Sequence, residues 1–273
     1  NANEELKNKT KSKGVKATSK KDFENLVRKI KTGIKQNSWS KIVAAGVIKQ
    51  TKPKNFNETA FLKKLCIDYP NAFVSLVYTP PHGIWIGATP EVLLKVKDRT
   101  FTTYSLAGTK ANKKKTWGVK EKEEQKLVSD YIASVISNTL NTKIEITGPA
   151  TIKAGNIFHL RTTFCVRNVS HNRWPETVMA LHPTPAVAGL PKKESIDFIL
   201  KNEKTLRGFY CGYLGPVNLN HEINLYVNIR CMRVLKKILA VHVGCGITSN
   251  SKPAAEWQEA KNKSKTLLRV LKQ

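Results

Sequence analysis

The chain has 273 residues, 40% of them hydrophobic and 8% aromatic, with 47 Lys and Arg against 20 Asp and Glu and a formal net charge of +27. That length and apolar share can bury a large core and exclude a disordered chain. No apolar run approaches the roughly 20 residues of a membrane helix, and no secretory signal opens the sequence. The five widely spaced cysteines form no Cys-x-x-Cys pair, which excludes a disulfide framework or a structural zinc site.

Residues 1–20 are polar and lysine-rich and read as a flexible basic arm, with residues 21–273 as one domain. Asp22 is placed to cap a helix carrying Phe23, Leu26, Val27, Ile30 and Ile34 at helical spacing. The run KIVAAGVI from Lys41 to Ile48 reads as a buried strand, and Asn57 starts a helix through about Cys66. Residues 72–106 then hold short strands (AFVSLVY, GIWIGA, VLLKVK, TFTTYSL) broken by proline and lysine–aspartate turns, a pattern of antiparallel hairpins. A long helix from about Val119 to Leu140 puts Leu127, Val128, Tyr131, Ile132, Val135 and Ile136 on one side. Strands are expected near 143–147, 157–167, 209–217, 223–234 and 238–246, and helices near 192–203 and 253–271. Strand runs punctuated by helices, without a βαβ rhythm, give an α+β class with mostly antiparallel sheets.

The positive charge fits either a nucleic-acid partner or a solvated basic face. The lysines are scattered over the whole length with no zinc knuckle or RNP-type motif, so nucleic acid is not the expected partner. A cytoplasmic monomer with reduced thiols is the expectation, and the field also suits an anionic metabolite.

Four patterns could carry chemistry. Leu181–Gly189 (LHPTPAVAG) sets His182 among two prolines and small residues, a stiff loop suited either to a ligand or to a structural turn. Glu121 and Glu124, and again Glu256 and Glu259, are three apart near helix starts and so share a face. Two such pairs meeting would make an all-oxygen site for Mg²⁺; exposed charge favoured by the helix dipole is the alternative. Glu91 sits at a proline turn between strands, as turn charge or as a general acid if burial raises its pKa. Lys41 opens an apolar strand, either snorkelling or serving as a base.

LHPTPAVAGLPK resembles the HPTPA segment of isochorismate synthases, members of the chorismate-utilising enzymes. About eight motifs follow in family order over residues 39–268. The resemblance implies an α/β sandwich of two antiparallel sheets flanked by helices, with chorismate bound between them. EKEEQKLV and GITSNSKPAAEWQEAKNK look like the family's acidic segments, which makes Glu124 and Glu259 the implied Mg²⁺ ligands, with Glu121 and Glu256 acting through water or from behind. GATPEVLL resembles a segment whose glutamate is the general acid, implying Glu91. SKIVAAGV resembles a segment whose lysine activates water, implying Lys41, although Gly46 stands where relatives carry Arg.

SLAGT carries Ala107, Gly108 and Thr109 as implied substrate contacts. Ala107 replaces the nucleophilic lysine of aminodeoxychorismate synthases, which excludes covalent amine catalysis there. Ala186, where amine-adding relatives have Thr, points the same way. Arg230 and Lys263 are implied partners for the substrate carboxylates, Gly244 and Gly246 bring backbone close to an anion, Tyr210 bonds the enolpyruvyl carboxylate, and His159 and His182 line the ring. The implied activity is Mg²⁺-dependent conversion of chorismate to isochorismate, serving menaquinone or siderophore synthesis. The alternatives are salicylate synthase, which goes on to eliminate pyruvate, and an anthranilate synthase component.

Overall fold

The computed structural model describes residues 15–110, 116–154 and 157–272. In chain order the helices are α1 (Lys20–Gln36), α2 (Glu58–Asp68), α3 (Val119–Leu140), α4 (Trp174–Leu181), α5 (Lys192–Asn202) and α6 (Pro253–Leu268). The strands are β1 (Lys41–Thr51), β2 (Phe73–Thr79), β3 (Gly83–Thr89), β4 (Val92–Lys97), β5 (Thr100–Lys110), β6 (Glu145–Ala154) and β7 (Ile157–Val166). They continue as β8 (Gly189–Leu190), β9 (Tyr213–Leu214), β10 (Val217–Leu219), β11 (Glu222–Val227), β12 (Cys231–Val234) and β13 (Ile238–Ile247).

Every strand pairing is antiparallel, and the strands make two sheets. One has the order β2-β3-β12-β13-β1-β8; the other has β10-β11-β4-β5-β7-β6, with β9 beside β11. The α+β sandwich expected from the sequence is the architecture observed.

Alternation along β1 and β13 decides where the core and the cavity lie. Successive side chains of a strand point to opposite faces. Ile42 and Ala44, with Val241, Val243, Cys245 and Ile247, bury one face under Phe23, Val27 and Ile30 of α1 and Leu267 of α6. The opposite face holds Lys41 and Val43, with His242, Gly244 and Gly246, and these line a cavity instead. The pairing is in register, with Val43 opposite Gly246, Ala45 opposite Gly244 and Val47 opposite His242. A second core forms where Val128, Ile132, Ile136 and Leu140 of α3 meet Leu94, Phe101 and Phe164 of the other sheet.

The structure departs from the sequence reading in several places. Residues 1–14 of the expected arm lie outside the described residues, but the fold already includes Thr18. Its N–H donates to Val47 O at 2.9 Å, and its hydroxyl accepts from Val47 N–H at 2.9 Å. Gly46 makes room for it, since a Cβ there would stand 2.8 Å from Thr18 Oγ1. The cap of α1 is Ser19, which accepts from Asp22 N–H at 3.0 Å, so Asp22 lies in the first turn. Helix α4 was not foreseen: eight residues with Pro175 at the N-terminus are too few for a helical period to show. The strand expected at 209–217 shrinks to β9 and the start of β10, because Gly208 (φ 58°), Cys211 (φ 69°) and Gly215 (φ 155°) turn the chain out of extended geometry. The strand expected at 223–234 breaks between β11 and β12, where Arg230 has φ 51°.

Among the described residues no helix is long and apolar enough to cross a membrane. The buried stripe of α3 gives a test of the packing. Ile132→Ala should lower stability by about 2–5 kcal/mol in urea denaturation, by the lost transfer free energy plus the cavity left behind. Val119→Ala, on the same helix but 72% exposed, should change it by less than about 0.5 kcal/mol.

Candidate active site

A cavity of about 160 Å³, open to solvent on one side, lies between the sheets. Its walls carry Lys41, Glu91, Gly108, Glu121, Glu124, His159, Ala186, Tyr210, Arg230, Gly244, Gly246, Glu259 and Lys263. Residues from β1 to α6 thus converge on one space. The side chains of Ala107 and Thr109 lie outside the described residues.

Lys41 is 3% exposed, a buried cation rather than a snorkelling one. Its Nζ donates to Glu124 Oε1 at 2.8 Å. It stands here because Gly246 has no side chain: a Cβ at 246 would lie 2.3 Å from Lys41 Cε. Gly244 plays the same part for Tyr210, whose hydroxyl would be 2.7 Å from a Cβ at 244. The two glycines were expected to bring backbone N–H groups to an anion; what the structure shows them contributing is space.

Glu91 follows β3 and is pinned at three points. Its N–H donates to Thr89 Oγ1 at 3.2 Å, Thr89 Oγ1 donates to Val227 O at 2.6 Å, and Glu91 O accepts from Val227 N–H at 2.9 Å. Glu91 is 8% exposed. Burial raises its pKa to about 7, against the opposing pull of Lys41, Arg230 and Lys263. Desolvation therefore outweighs three nearby cations, and the carboxyl holds a proton close to neutral pH. Of the two sequence readings, turn charge and general acid, the geometry favours the acid.

Arg230 and Lys263 form the cationic part of the wall. Arg230 Nη1 donates to Thr266 Oγ1 at 2.9 Å, and burial lowers its pKa. Lys263 Nζ donates to Gly244 O at 3.0 Å and pairs with Glu259 Oε1 at 2.9 Å. Burial pulls the Lys263 pKa down, but Glu259 more than compensates and the net shift is upward. His159 Nδ1 lies 2.8 Å from Gly108 O; a carbonyl only accepts, so Nδ1 carries the proton. Burial holds the His159 pKa at about 4, which keeps the ring neutral.

Three carboxylates reach the cavity from two helices: Glu121 and Glu124 from α3, and Glu259 from α6. Gln125 seats α3, its Nε2 donating to Ser105 Oγ at 2.7 Å and Thr162 Oγ1 at 3.0 Å. An oxygen-only set of this kind suits Mg²⁺, which usually takes one or two carboxylates and keeps several waters. Among the described residues no three metal-ligating side chains stand close enough to share an ion, since Glu124 and Glu259 are drawn to lysines. The donors fit in kind and in number. Glu256 does not join them: it is 3% exposed and is not a lining residue. Both α3 glutamates lie in the wall, and on α6 Glu259 lies in it while Glu256 is buried outside the lining, as a residue acting from behind would be.

His182 stands elsewhere than expected. Its ring is not a lining residue and packs edge-on against Tyr213 at 5.0 Å. From its loop it is Ala186 that faces the cavity. The loop is fixed by Arg207, which donates to Val187 O at 2.6 Å and to Val43 O at 3.0 Å and pairs with Glu203 at 2.6 Å. Glu203 in turn accepts from Ala45 N–H at 3.0 Å. The sequence reading also missed His242, a wall residue. Its signal was the alternation His242-x-Gly244-x-Gly246, which places all three on one face of β13.

A family model described as "Chorismate binding enzyme" matches residues 1–272. The chain belongs to the chorismate binding enzyme family. Isochorismate synthase EntC of Escherichia coli (strain K12) is 25% identical over 91% of this chain and 66% of its own length. Isochorismate synthase DhbC of Bacillus subtilis (strain 168) is 26% identical over 92% and 67%. The crystal structure of Bacillus anthracis DhbC, assigned as a 2,3-dihydroxybenzoate-specific isochorismate synthase, superposes with a TM-score of 0.84 at 25% identity, covering 94% of this chain and 74% of that one. The chain therefore spans about two thirds of the length of these curated relatives.

Glu91 couples the site to stability. Its pKa is raised in the fold from 4.5 to about 7, so wild type keeps its full stability below about 4.5 and loses part of it as pH climbs to about 7. Glu91→Gln removes that loss. The variant should match wild type near pH 4 and exceed it near pH 8 by on the order of 3 kcal/mol. Urea denaturation at the two pH values measures the difference, and equal stabilities at pH 8 would mean an ordinary carboxylate.

Proposed function

We propose that this chorismate binding enzyme converts chorismate to isochorismate with Mg²⁺. The observation that carries this reading is the pairing of a buried, proton-holding Glu91 with Lys41 on the wall of one cavity that also presents Arg230 and Lys263. A base, an acid and two cations are what a water-for-hydroxyl exchange on a dicarboxylate requires. Lys41, as the neutral amine, takes a proton from a water that attacks ring carbon C2. Glu91 gives its proton to the C4 hydroxyl, which departs as water while the ring double bonds shift. One water enters and one leaves, so the reaction is an isomerisation. Arg230 and Lys263 hold the carboxylates, a guanidinium doing so with two parallel bonds. Tyr210 and Gly108 bound the space around the ring. Glu124 and Glu259, supported by Glu121, would hold Mg²⁺, which when bound would offset the charge of the ring carboxylate. Ala107 leaves no amine nucleophile at its position in the SLAGT strand, which fits water as the attacking group.

Product analysis after incubation with chorismate and Mg²⁺ tests the reading. Isochorismate in equilibrium with chorismate, lost on chelation, is the expected result. Salicylate with pyruvate would instead assign the lyase, and an ammonia-dependent product an anthranilate synthase. Lys41→Ala and Glu91→Gln should each lower turnover by about 10²-fold or more while chorismate still binds in calorimetry. With Glu91 as the acid, kcat/KM should fall about tenfold per pH unit above about 7. A flat alkaline limb would assign the proton donor elsewhere.

A further inference from the structure

His242 is a cavity-lining imidazole to which the mechanism above gives no part. It is 5% exposed on the inner face of β13, two residues before Gly244. The ring is held on two sides by aromatic neighbours, Trp85 at 4.9 Å with 35° between planes and Tyr210 at 5.4 Å with 31°. Both contacts are tilted rather than stacked, and the imidazole they flank lines the cavity.

The supports are themselves fixed. Trp85 Nε1 donates to His82 O at 3.3 Å, and Phe209 packs on Trp85 at 5.6 Å. Gly208 lets the chain pass close, since a Cβ there would stand 2.8 Å from the Trp85 ring. The wall is therefore formed before any ligand arrives.

Neither ring nitrogen of His242 bonds a protein group among the described residues, and neither is fully enclosed. A phenyl ring would fill the same slot between Trp85 and Tyr210 without bringing two polar atoms into a buried wall. Leaving such an atom unpaired costs about 1–3 kcal/mol. Water in the cavity answers that cost in the free protein; a ligand that displaces the water must answer it instead. Burial, reinforced by Arg233 and Arg207, keeps the ring neutral, with a pKa of about 4. A neutral imidazole offers one donor and one acceptor and no charge. Arg230 and Lys263 already serve carboxylates, so its match is an uncharged oxygen.

We infer that His242, seated between Trp85 and Tyr210, is a substrate-binding residue that hydrogen-bonds the hydroxyl or ether oxygen of the bound ring compound. The inference rests on the reading of that compound as chorismate.

His242→Phe keeps the ring and removes both nitrogens; His242→Gln keeps a donor and an acceptor and removes the ring. For His242→Phe the expected result is a KM for chorismate raised roughly tenfold, with kcat within about twofold, as for loss of one ligand hydrogen bond. The increase should be the same from pH 6 to pH 9, because a ring titrating near 4 stays neutral throughout. His242→Gln should restore most of the binding. Calorimetric titration with chorismate, read beside circular dichroism of each variant, separates binding from folding and from turnover. If wild type binds chorismate without converting it, the catalytic reading fails, while a roughly tenfold weaker Kd for His242→Phe still supports the His242 contact. Unchanged binding by His242→Phe overturns the contact, as does His242→Gln binding no better than His242→Phe. Absence of wild-type binding overturns both readings.

Discussion

No side chain can stand at residue 246 without displacing Lys41. A Cβ there would lie 2.3 Å from Lys41 Cε and 3.1 Å from Glu124 Oε1, and at 244 the backbone oxygen of Ala44 lies 2.8 Å away. Two missing side chains on one face of β13 thus decide that the sheets enclose a cavity there instead of a packed core. The rest follows from strand geometry. Alternation gives the opposite face of β1 and β13 to the apolar core against α1 and α6, and that core holds the strands in the register that sets Val43 against Gly246. The hollow and the core are two faces of the same pair of strands.

What fills the hollow is charge, and charge in a buried place must be paired or neutralised. The protein uses both solutions side by side. Lys41 is paired with Glu124 and Lys263 with Glu259. Glu91 is handled the other way: burial holds a proton on it despite three cations within range. A proton-holding acid and two ion-paired lysines therefore share one space. The overall charge of +27 does not by itself create this site, but it gives an anion approaching the cavity a favourable field.

Much of this was legible in the sequence, for identifiable reasons. Helix α3 was bounded at Val119 and Leu140 because 22 residues give a helical stripe time to repeat. The strands from 73 to 110 declared themselves through the proline and lysine–aspartate turns between them. Period three brought Glu121 and Glu124 to the cavity together. On α6 the same spacing sets Glu259 in the wall and leaves Glu256 buried outside the lining. His182 is placed otherwise than its motif suggested. A histidine between prolines looks presented to a ligand, yet its ring went to Tyr213, a partner 31 residues away in a segment where strand was expected and the chain turns instead. His242 belongs to no local motif that marks it as functional; only the β13 register and the distant rings of Trp85 and Tyr210 place it in the wall.

The proline-rich loop can serve the site without His182 because of how it is held. Arg207 donates to Val187 O in that loop and to Val43 O in the strand that carries Lys41, while Glu203, its ion-pair partner, accepts from Ala45 N–H. One half-buried pair thus ties the loop that presents Ala186 to the strand that presents Lys41. Such a pair does little for net stability, because desolvation offsets most of the attraction, but removing one partner costs about 3–5 kcal/mol. That asymmetry suits a fixture whose value is positional. Lys41 and Ala186 keep their spacing because two elements distant in sequence share one guanidinium, and a site built this way spends little binding energy on arranging itself around a substrate.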